Sequence, residues 1–143
     1  MFMGEYQHNV DLKGRLIIPS KYREQLGEKL VVTKGLDGCL YLYPMDAWEE
    51  ILGKLRGLNL LKPEDRQFMR FFVAGATECE LDKQGRILLP ASLRNAAGIE
   101  KDVILAGMME RIEIWDKARW EENTGMGNMN EIAASMAERG IDL

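Results

Sequence analysis

Two short segments of this chain place an aspartate and an arginine four positions apart around a glycine. They are Asp11-Leu-Lys-Gly-Arg15 and Asp82-Lys-Gln-Gly-Arg86. Aspartate and glycine favour a tight turn, because the Asp side chain bonds the backbone two residues on and Gly accepts a positive φ. An arginine fixed beside such a turn presents forked donors to a phosphate or to a guanine edge. The pattern therefore indicates a nucleic-acid contact, with an ordinary solvent-exposed hairpin turn as the alternative.

Other reactive side chains are few. His8 is the only histidine, which excludes a metal site built from several histidines of one chain. Cys39 and Cys79 have no CxxC spacing, so we expect free thiols in a reducing compartment. The sequence has no nucleophile elbow and no phosphate-binding glycine-rich loop. We therefore expect a protein that is not an enzyme and that holds no cofactor or metal.

The charge of the chain is unevenly distributed. Its net charge is −4. Residues 11–25 and 82–98 each carry +2, which leaves −8 on the remainder. A local basic patch steers a charged partner more effectively than the overall sum suggests. The distribution is compatible with DNA as a partner, although small excesses of this size also occur on ordinary solvated surfaces.

The two motifs belong to a longer internal repeat. Residues 11–23 recur as residues 82–94, and after one inserted residue the match continues through Trp48 and Trp120 to Glu50 and Glu122. A unit of about 40 residues is too small to bury a stable core alone. We therefore expect the two copies to fold against each other into one core, with the two tryptophans in equivalent sites.

Each copy has the pattern of a strand, a turn, a strand, a short helix and a β-hairpin. The segment 15–18 is apolar without alternation after its arginine, so we expect this strand to be buried on both faces. Asp46 and Glu49 have capping-box spacing at the start of a helix. Further helices are predicted over residues 64–72, from Asp116 onward, and over 131–139.

These elements predict four regions along the chain. They are a first repeat (5–47), a helical linker (48–75), a second repeat (76–119) and a C-terminal helical segment (120–143). No apolar run reaches the roughly 18 residues of a transmembrane helix, and the N-terminus lacks a signal pattern, so we expect a cytoplasmic protein without a membrane partner. The apolar surface of Trp48 and of the phenylalanines at 68, 71 and 72 is more than so small a core can bury, which favours an oligomer.

Residues 11–27 and 82–98 resemble the SpoVT-AbrB swapped-hairpin module, and a chain with two such modules resembles the MraZ family. The opening residues 1–6, the linker 66–72 and the segments 113–115 and 120–122 also match the family. The resemblance implies a mainly β fold with flanking helices (α+β). It specifically implies a double swapped-hairpin β barrel formed by both repeats of one chain.

The resemblance also implies a transcriptional repressor of the division and cell-wall gene cluster, including its own promoter. Such a protein would be nucleoid-associated and would bind direct repeats in double-stranded promoter DNA as a ring of the octamer or dodecamer class. The family's proposed DNA-contacting pair maps onto the two Asp–Arg pairs of this chain. The full set of DNA-binding candidates is Asp11, Lys13, Arg15, Asp82, Lys83 and Arg86, with Lys21, Arg23 and Arg94 as secondary candidates.

Two alternatives remain open. SpoVT-AbrB modules also occur in antitoxins, which would make the chain an interaction module first. A purely structural ring with solvated arginine turns is the other alternative. The segment from Gly125 onward matches the family least well, and the resemblance implies nothing for it.

Overall fold

Every strand of the first repeat pairs with a strand of the second. The computed structural model describes all 143 residues. Its strands are β1 (Glu5–Asn9), β2 (Arg15–Ile17), β3 (Lys29–Lys34), β4 (Leu40–Pro44), β5 (Thr77–Glu80), β6 (Arg86–Leu88), β7 (Asp102–Met108) and β8 (Arg111–Asp116). Its helices are α1 (Ser20–Leu26), α2 (Met45–Leu55), α3 (Pro63–Phe72), α4 (Ala91–Ala96), α5 (Lys117–Asn123) and α6 (Met129–Glu138).

The strands form an open sheet rather than a barrel. Six of them make one antiparallel sheet in the order β1-β7-β8-β4-β3-β5, and β2 pairs with β6 in a separate two-stranded sheet. The expected closed β barrel is therefore wrong, while the mixed α+β class is confirmed. The physical reason lies in the two Asp-Gly turns. They lead the chain out of the edge strands β1 and β5 into the small sheet, so the two edges never pair with each other.

The small sheet and two short helices cover one face of the large sheet. Leu16 of β2 and Ile87 of β6 point into the same buried cluster as Tyr22 of α1 and Leu93 of α4. This cluster draws on both repeats, as the internal repeat predicts. The opposite face is covered by α2 and α3, whose Trp48 and Phe72 belong to a second buried cluster. The molecule is thus layered, with β2 and β6 on one side of the sheet and α2 and α3 on the other.

Two local expectations from the sequence are wrong. The strand that begins at Arg15 is not buried on both faces, because Ile17 is 44% exposed. No capping box starts α2, which follows Pro44 without a side-chain cap, and the Asp46 carboxylate accepts only from the neighbouring Ala47 N–H. Both cysteines are free, as expected. None of the six helices has the length and apolar content needed to cross a bilayer.

Candidate nucleic-acid interface

The first Asp–Arg turn is closed by both backbone and side chain. The Asp11 carbonyl accepts from the Gly14 N–H at 3.0 Å, and the Asp11 N–H donates to the Arg15 carbonyl at 2.9 Å. One carboxylate oxygen, Asp11 Oδ1, accepts from the backbone N–H groups of Lys13 at 3.0 Å and Arg15 at 2.9 Å. Gly14 has a φ of 85°, which a residue with a side chain rarely adopts. The aspartate therefore fixes the turn from inside.

The same aspartate orients the arginine. Asp11 Oδ2 accepts from Arg15 Nε at 2.7 Å, while Nη1 and Nη2 of that guanidinium make no hydrogen bond within the chain. A guanidinium held at Nε keeps both terminal nitrogens free for two parallel hydrogen bonds to one ligand. The side chain of Arg15 is 34% exposed, so the free end is accessible.

The second turn repeats this geometry. Asp82 Oδ1 accepts from the N–H groups of Gln84 and Arg86, both at 2.9 Å, and Asp82 Oδ2 accepts from Arg86 Nε at 2.8 Å. Gly85 has a φ of 76°. Each of these distances differs by no more than 0.1 Å from its counterpart in the first turn. The five-residue motif therefore specifies one structure in two different surroundings.

Both aspartates are held in the charged form. The backbone N–H of Arg15 is the largest cause that lowers the pKa of Asp11 below its ordinary value of 3.8, and the guanidinium adds to the effect. Arg86 acts in the same way to lower the pKa of Asp82. Hydrogen bonds to a carboxylate favour its ionised form. Both Asp–Arg pairs are therefore intact at neutral pH.

The pairing of β2 with β6 brings the two arginines onto one surface. Leu16 pairs with Ile87 at the centre, and both side chains point inward with exposures of 0% and 1%. Because side chains alternate along a strand, Arg15 and Arg86 lie on the outward face. We call this two-stranded element, residues 15–17 and 86–88, the ribbon. A two-stranded β-ribbon is one of the two elements that the major groove of B-DNA admits.

Each repeat also holds the turn of the other. The Ile18 N–H donates to the Gly85 carbonyl at 2.9 Å, and the Leu89 N–H donates to the Gly14 carbonyl at 2.8 Å. These two reciprocal bonds lie just beyond the ends of the ribbon. They fix the position of each Asp–Arg turn relative to the other, so the spacing of the two arginines is a property of the fold.

Two of the secondary candidates are supports for the turns. The guanidinium of Arg23 lies against Gly85, and that of Arg94 lies 3.1 Å from the position a Cβ on Gly14 would take. Arg94 Nε also donates to the Leu89 carbonyl at 3.0 Å. Each helix arginine thus packs beneath the turn of the opposite repeat.

The lysine candidates are less constrained. Lys13 and Lys83 are exposed on the two turns that carry the arginines. Lys21 is exposed on the helix α1 and makes no side-chain hydrogen bond. The structure therefore brings Lys13 and Lys83 close in sequence and space to the Asp–Arg pairs, whereas Lys21 lies on a different element.

Sequence reasoning missed two residues of this surface, Ile17 and Leu88. They are 44% and 57% exposed and lie on the outward face of the ribbon beside the arginines. The signal that could have found them is the alternation of the strand. Since Arg15 must face solvent or a ligand, the residue two positions later faces the same side.

Comparisons with known proteins identify the family. A family model described as "MraZ protein, putative antitoxin-like" matches residues 1–71 and 72–139. A protein named transcriptional regulator MraZ in Acetivibrio thermocellus is 55% identical over 143 residues, covering 99% of this chain and all of the relative. Proteins of the same name are 54% identical in Lachnoclostridium phytofermentans, over 99% of both chains, and 60% identical in Caldanaerobacter subterraneus subsp. tengcongensis, over 85% of both. The chain therefore belongs to the MraZ family.

Proposed function

We propose that this chain is a sequence-specific, DNA-binding transcriptional regulator that inserts the ribbon into the major groove. The observation that carries the proposal is the pair of guanidinium groups on one outward face. Each is held at Nε by an aspartate and is free at both terminal nitrogens. The names of the relatives as transcriptional regulators support the same function.

The two kinds of basic residue have different roles in this proposal. Arg15 and Arg86 each place two parallel donors against O6 and N7 of a guanine, which is the commonest specific contact of arginine in the major groove. Lys13 and Lys83, exposed on the turns, contact the phosphates that flank the ribbon and fix its register. The aspartates do not touch the DNA; they keep the guanidinium groups in one orientation.

A single ribbon offers few contacts, and the proposal therefore includes assembly. Two arginines and two lysines neutralise few phosphates, so one copy binds weakly at physiological salt. A ring of copies on spaced direct repeats raises the effective affinity by about 100-fold or more. Phe68, which is 38% exposed on α3, and its apolar neighbours Ile51, Leu55 and Phe71 provide a surface for such contacts. Light scattering tests this part, and a mass near 16.3 kDa contradicts it.

The target in this proposal is the promoter of the division and cell-wall gene cluster, where the protein acts as a repressor, its own gene included. A footprint on the DNA upstream of the gene, followed by transcription in vitro, tests this part. Protection of direct repeats together with lower transcription is the expected result. Protection with increased transcription would contradict repression but not DNA binding.

The DNA-binding surface is tested with Arg15→Ala/Arg86→Ala. We expect this protein to fold and assemble normally and to lose detectable binding to the promoter DNA. The single variants should each lose about 10- to 100-fold, the range expected for a bidentate base contact. Arg56→Ala is the matched control, because Arg56 follows α2 on the opposite face of the sheet. Native affinity in the folded double variant would exclude the ribbon as the DNA-binding surface.

An antitoxin-like module is the second candidate. The family description includes that term, and nearly every residue of the helix α6 is exposed, which leaves this helix available to a protein partner. Removal of residues 124–143 separates the two functions. Promoter binding that survives the truncation supports the regulator, whereas a toxin complex lost with those residues supports the antitoxin.

A further inference from the structure

The outward face of the ribbon is half apolar. The register of β2 and β6 places Arg15 opposite Leu88 and Ile17 opposite Arg86. Charged and aliphatic side chains therefore alternate at the four corners of this face. Ile17 is 44% exposed and Leu88 is 57% exposed, so about half of each residue faces solvent. Both repeats have the same arrangement, because each carries an aliphatic residue two positions after its arginine.

The dimensions of the face match those of stacked base pairs. Residues opposite each other on paired strands have Cβ atoms about 4.5–5.5 Å apart. Residues two apart on one strand are about 6.6 Å apart. Successive base pairs are separated by about 3.4 Å. When an arginine contacts one base pair, the neighbouring aliphatic side chains therefore lie over base pairs one or two steps away.

Only one feature of the major groove suits an aliphatic side chain. Guanine, cytosine and adenine present hydrogen-bonding groups there, whereas thymine adds an apolar C5-methyl group. We propose that Ile17 and Leu88 contact thymine methyl groups within one or two base pairs of the guanines bound by Arg15 and Arg86. This inference rests on the proposed function, and it adds the residues that read the flanking bases.

Exposure alone does not identify such a residue, and the first turn shows why. Leu12 is fully exposed, but it lies on the turn and not on the ribbon face. Its counterpart in the second repeat is Lys83, so the aliphatic character is absent from the other copy. Leu12 is therefore a matched control, because it is an exposed aliphatic side chain close to Arg15 that has no place in the proposed contact.

The test compares DNA that differs only in the thymine methyl group. The probe is the promoter duplex of the chain's own gene, with uracil in place of thymine either throughout or at single positions. We expect the wild-type chain to lose about three- to fivefold in affinity for each methyl group contacted, which corresponds to one buried methylene-sized group. The losses should map to positions within two base pairs of the guanines that Arg15 and Arg86 require.

The variants Ile17→Ala and Leu88→Ala test which side chain makes each methyl contact. Both residues are about half exposed and lie outside the buried clusters, so the substitutions should leave the fold intact. Each variant should bind the thymine duplex more weakly and should lose its sensitivity to uracil at its own positions. Leu12→Ala should keep the full sensitivity.

The outcomes separate this inference from the proposed function. Wild-type binding that is equal for thymine and uracil duplexes would overturn the methyl contact while leaving DNA binding intact. An undiminished uracil effect in Ile17→Ala and Leu88→Ala would do the same. A change in oligomer mass in these variants without any change in uracil sensitivity would assign the face to a protein contact. Absence of promoter binding by the wild type would refute the proposed function and this inference together.

Discussion

The two repeats of this chain agree where they carry the Asp–Arg turn and differ where they carry their helices. The turn distances match within 0.1 Å. In contrast, Trp48 is buried against Tyr43 and Phe72, while the equivalent Trp120 is only partly buried against Trp115. Helix α3 covers Trp48, and the corresponding helix α6 does not fold back onto the body. Local hydrogen bonding therefore fixes the turns, whereas helix packing depends on which neighbour each repeat has.

The largest expected effect is a difference between the tryptophans. Trp48→Ala should cost about 3–5 kcal/mol of unfolding free energy, the usual loss for a buried indole. Trp120→Ala should cost less than about half of that, because its side chain is already partly in water and makes fewer contacts. Urea unfolding at neutral pH gives both values. Equal costs would show that the burial of the two tryptophans is the same in solution.

The turn glycines come next. Gly14→Ala and Gly85→Ala should each cost about 1–2 kcal/mol from the positive φ alone. Each new Cβ would also crowd the arginine that packs under its turn, Arg23 at Gly85 and Arg94 at Gly14, and at Gly14 it would in addition lie 3.1 Å from the Leu89 carbonyl oxygen. Thermal unfolding measures both losses. Gly53→Ala in α2, where a Cβ has open space, is the control and should stabilise by about 0.5–1 kcal/mol.

Tyr22 and its counterpart Leu93 in the second repeat should differ in how they contribute to stability as the pH changes. Tyr22 Oη donates to the Gly4 carbonyl at 2.6 Å, and burial raises the pKa of Tyr22 from 10.0 to about 12. A raised folded-state pKa gives stability that is complete below pH 10 and is lost as the pH rises toward 12. Tyr22→Phe should cost about 1 kcal/mol at neutral pH.

Tyr22→Phe should also remove the part of the stability loss at alkaline pH that comes from the Tyr22 hydroxyl. Urea unfolding at several pH values measures this difference. Leu93→Met serves as the control, because it changes the equivalent helix without touching a titrating group. An identical pH dependence in wild type and Tyr22→Phe would show that the hydroxyl does not titrate with folding.

The smallest expected effect concerns the aspartates and should be the same in both repeats. Their lowered pKa values mean that each contributes stability above pH 3.8 that is lost as the pH falls through the folded-state pKa. Asp11→Asn and Asp82→Asn should therefore flatten the acid limb of the stability curve by equal amounts. Acid unfolding followed by circular dichroism gives the comparison. A clear inequality would break the equivalence of the two turns.

The sequence predicts the turns well because their structure is contained in five residues. An aspartate that bonds the next backbone amides and a glycine with positive φ leave little for distant residues to decide. The helices, the hairpins and the shared core also follow from periodicity and from the repeat itself. The capping box predicted at Asp46 is wrong and shows the limit of a local pattern, since α2 follows Pro44 without any side-chain cap.

The open sheet in place of a barrel and the composition of the ribbon face both depend on strand pairing, which no local sequence pattern predicts. The edge strands β1 and β5 could close a barrel only by pairing with each other. They do not pair, because the chain leaves each of them through a turn that leads into the separate small sheet. The strand β2 has three residues, so its alternation is too short to distinguish a half-buried strand from a fully buried one. The sequence therefore predicts a buried Ile17, whereas this residue is 44% exposed.

The cross-repeat pairing of the ribbon also has a consequence for the order of synthesis. Leu16 leaves the ribosome 71 residues before its partner Ile87, which at about 5–20 residues per second is a delay of roughly 4–14 s. Throughout that interval β2 has no strand to pair with, and Gly14 lacks the amide of Leu89 that later holds it. A transcript that ends before the second repeat thus encodes a polypeptide with an arginine turn and no ribbon. A chain made from a truncated messenger RNA therefore lacks the two-arginine surface altogether, rather than presenting half of it.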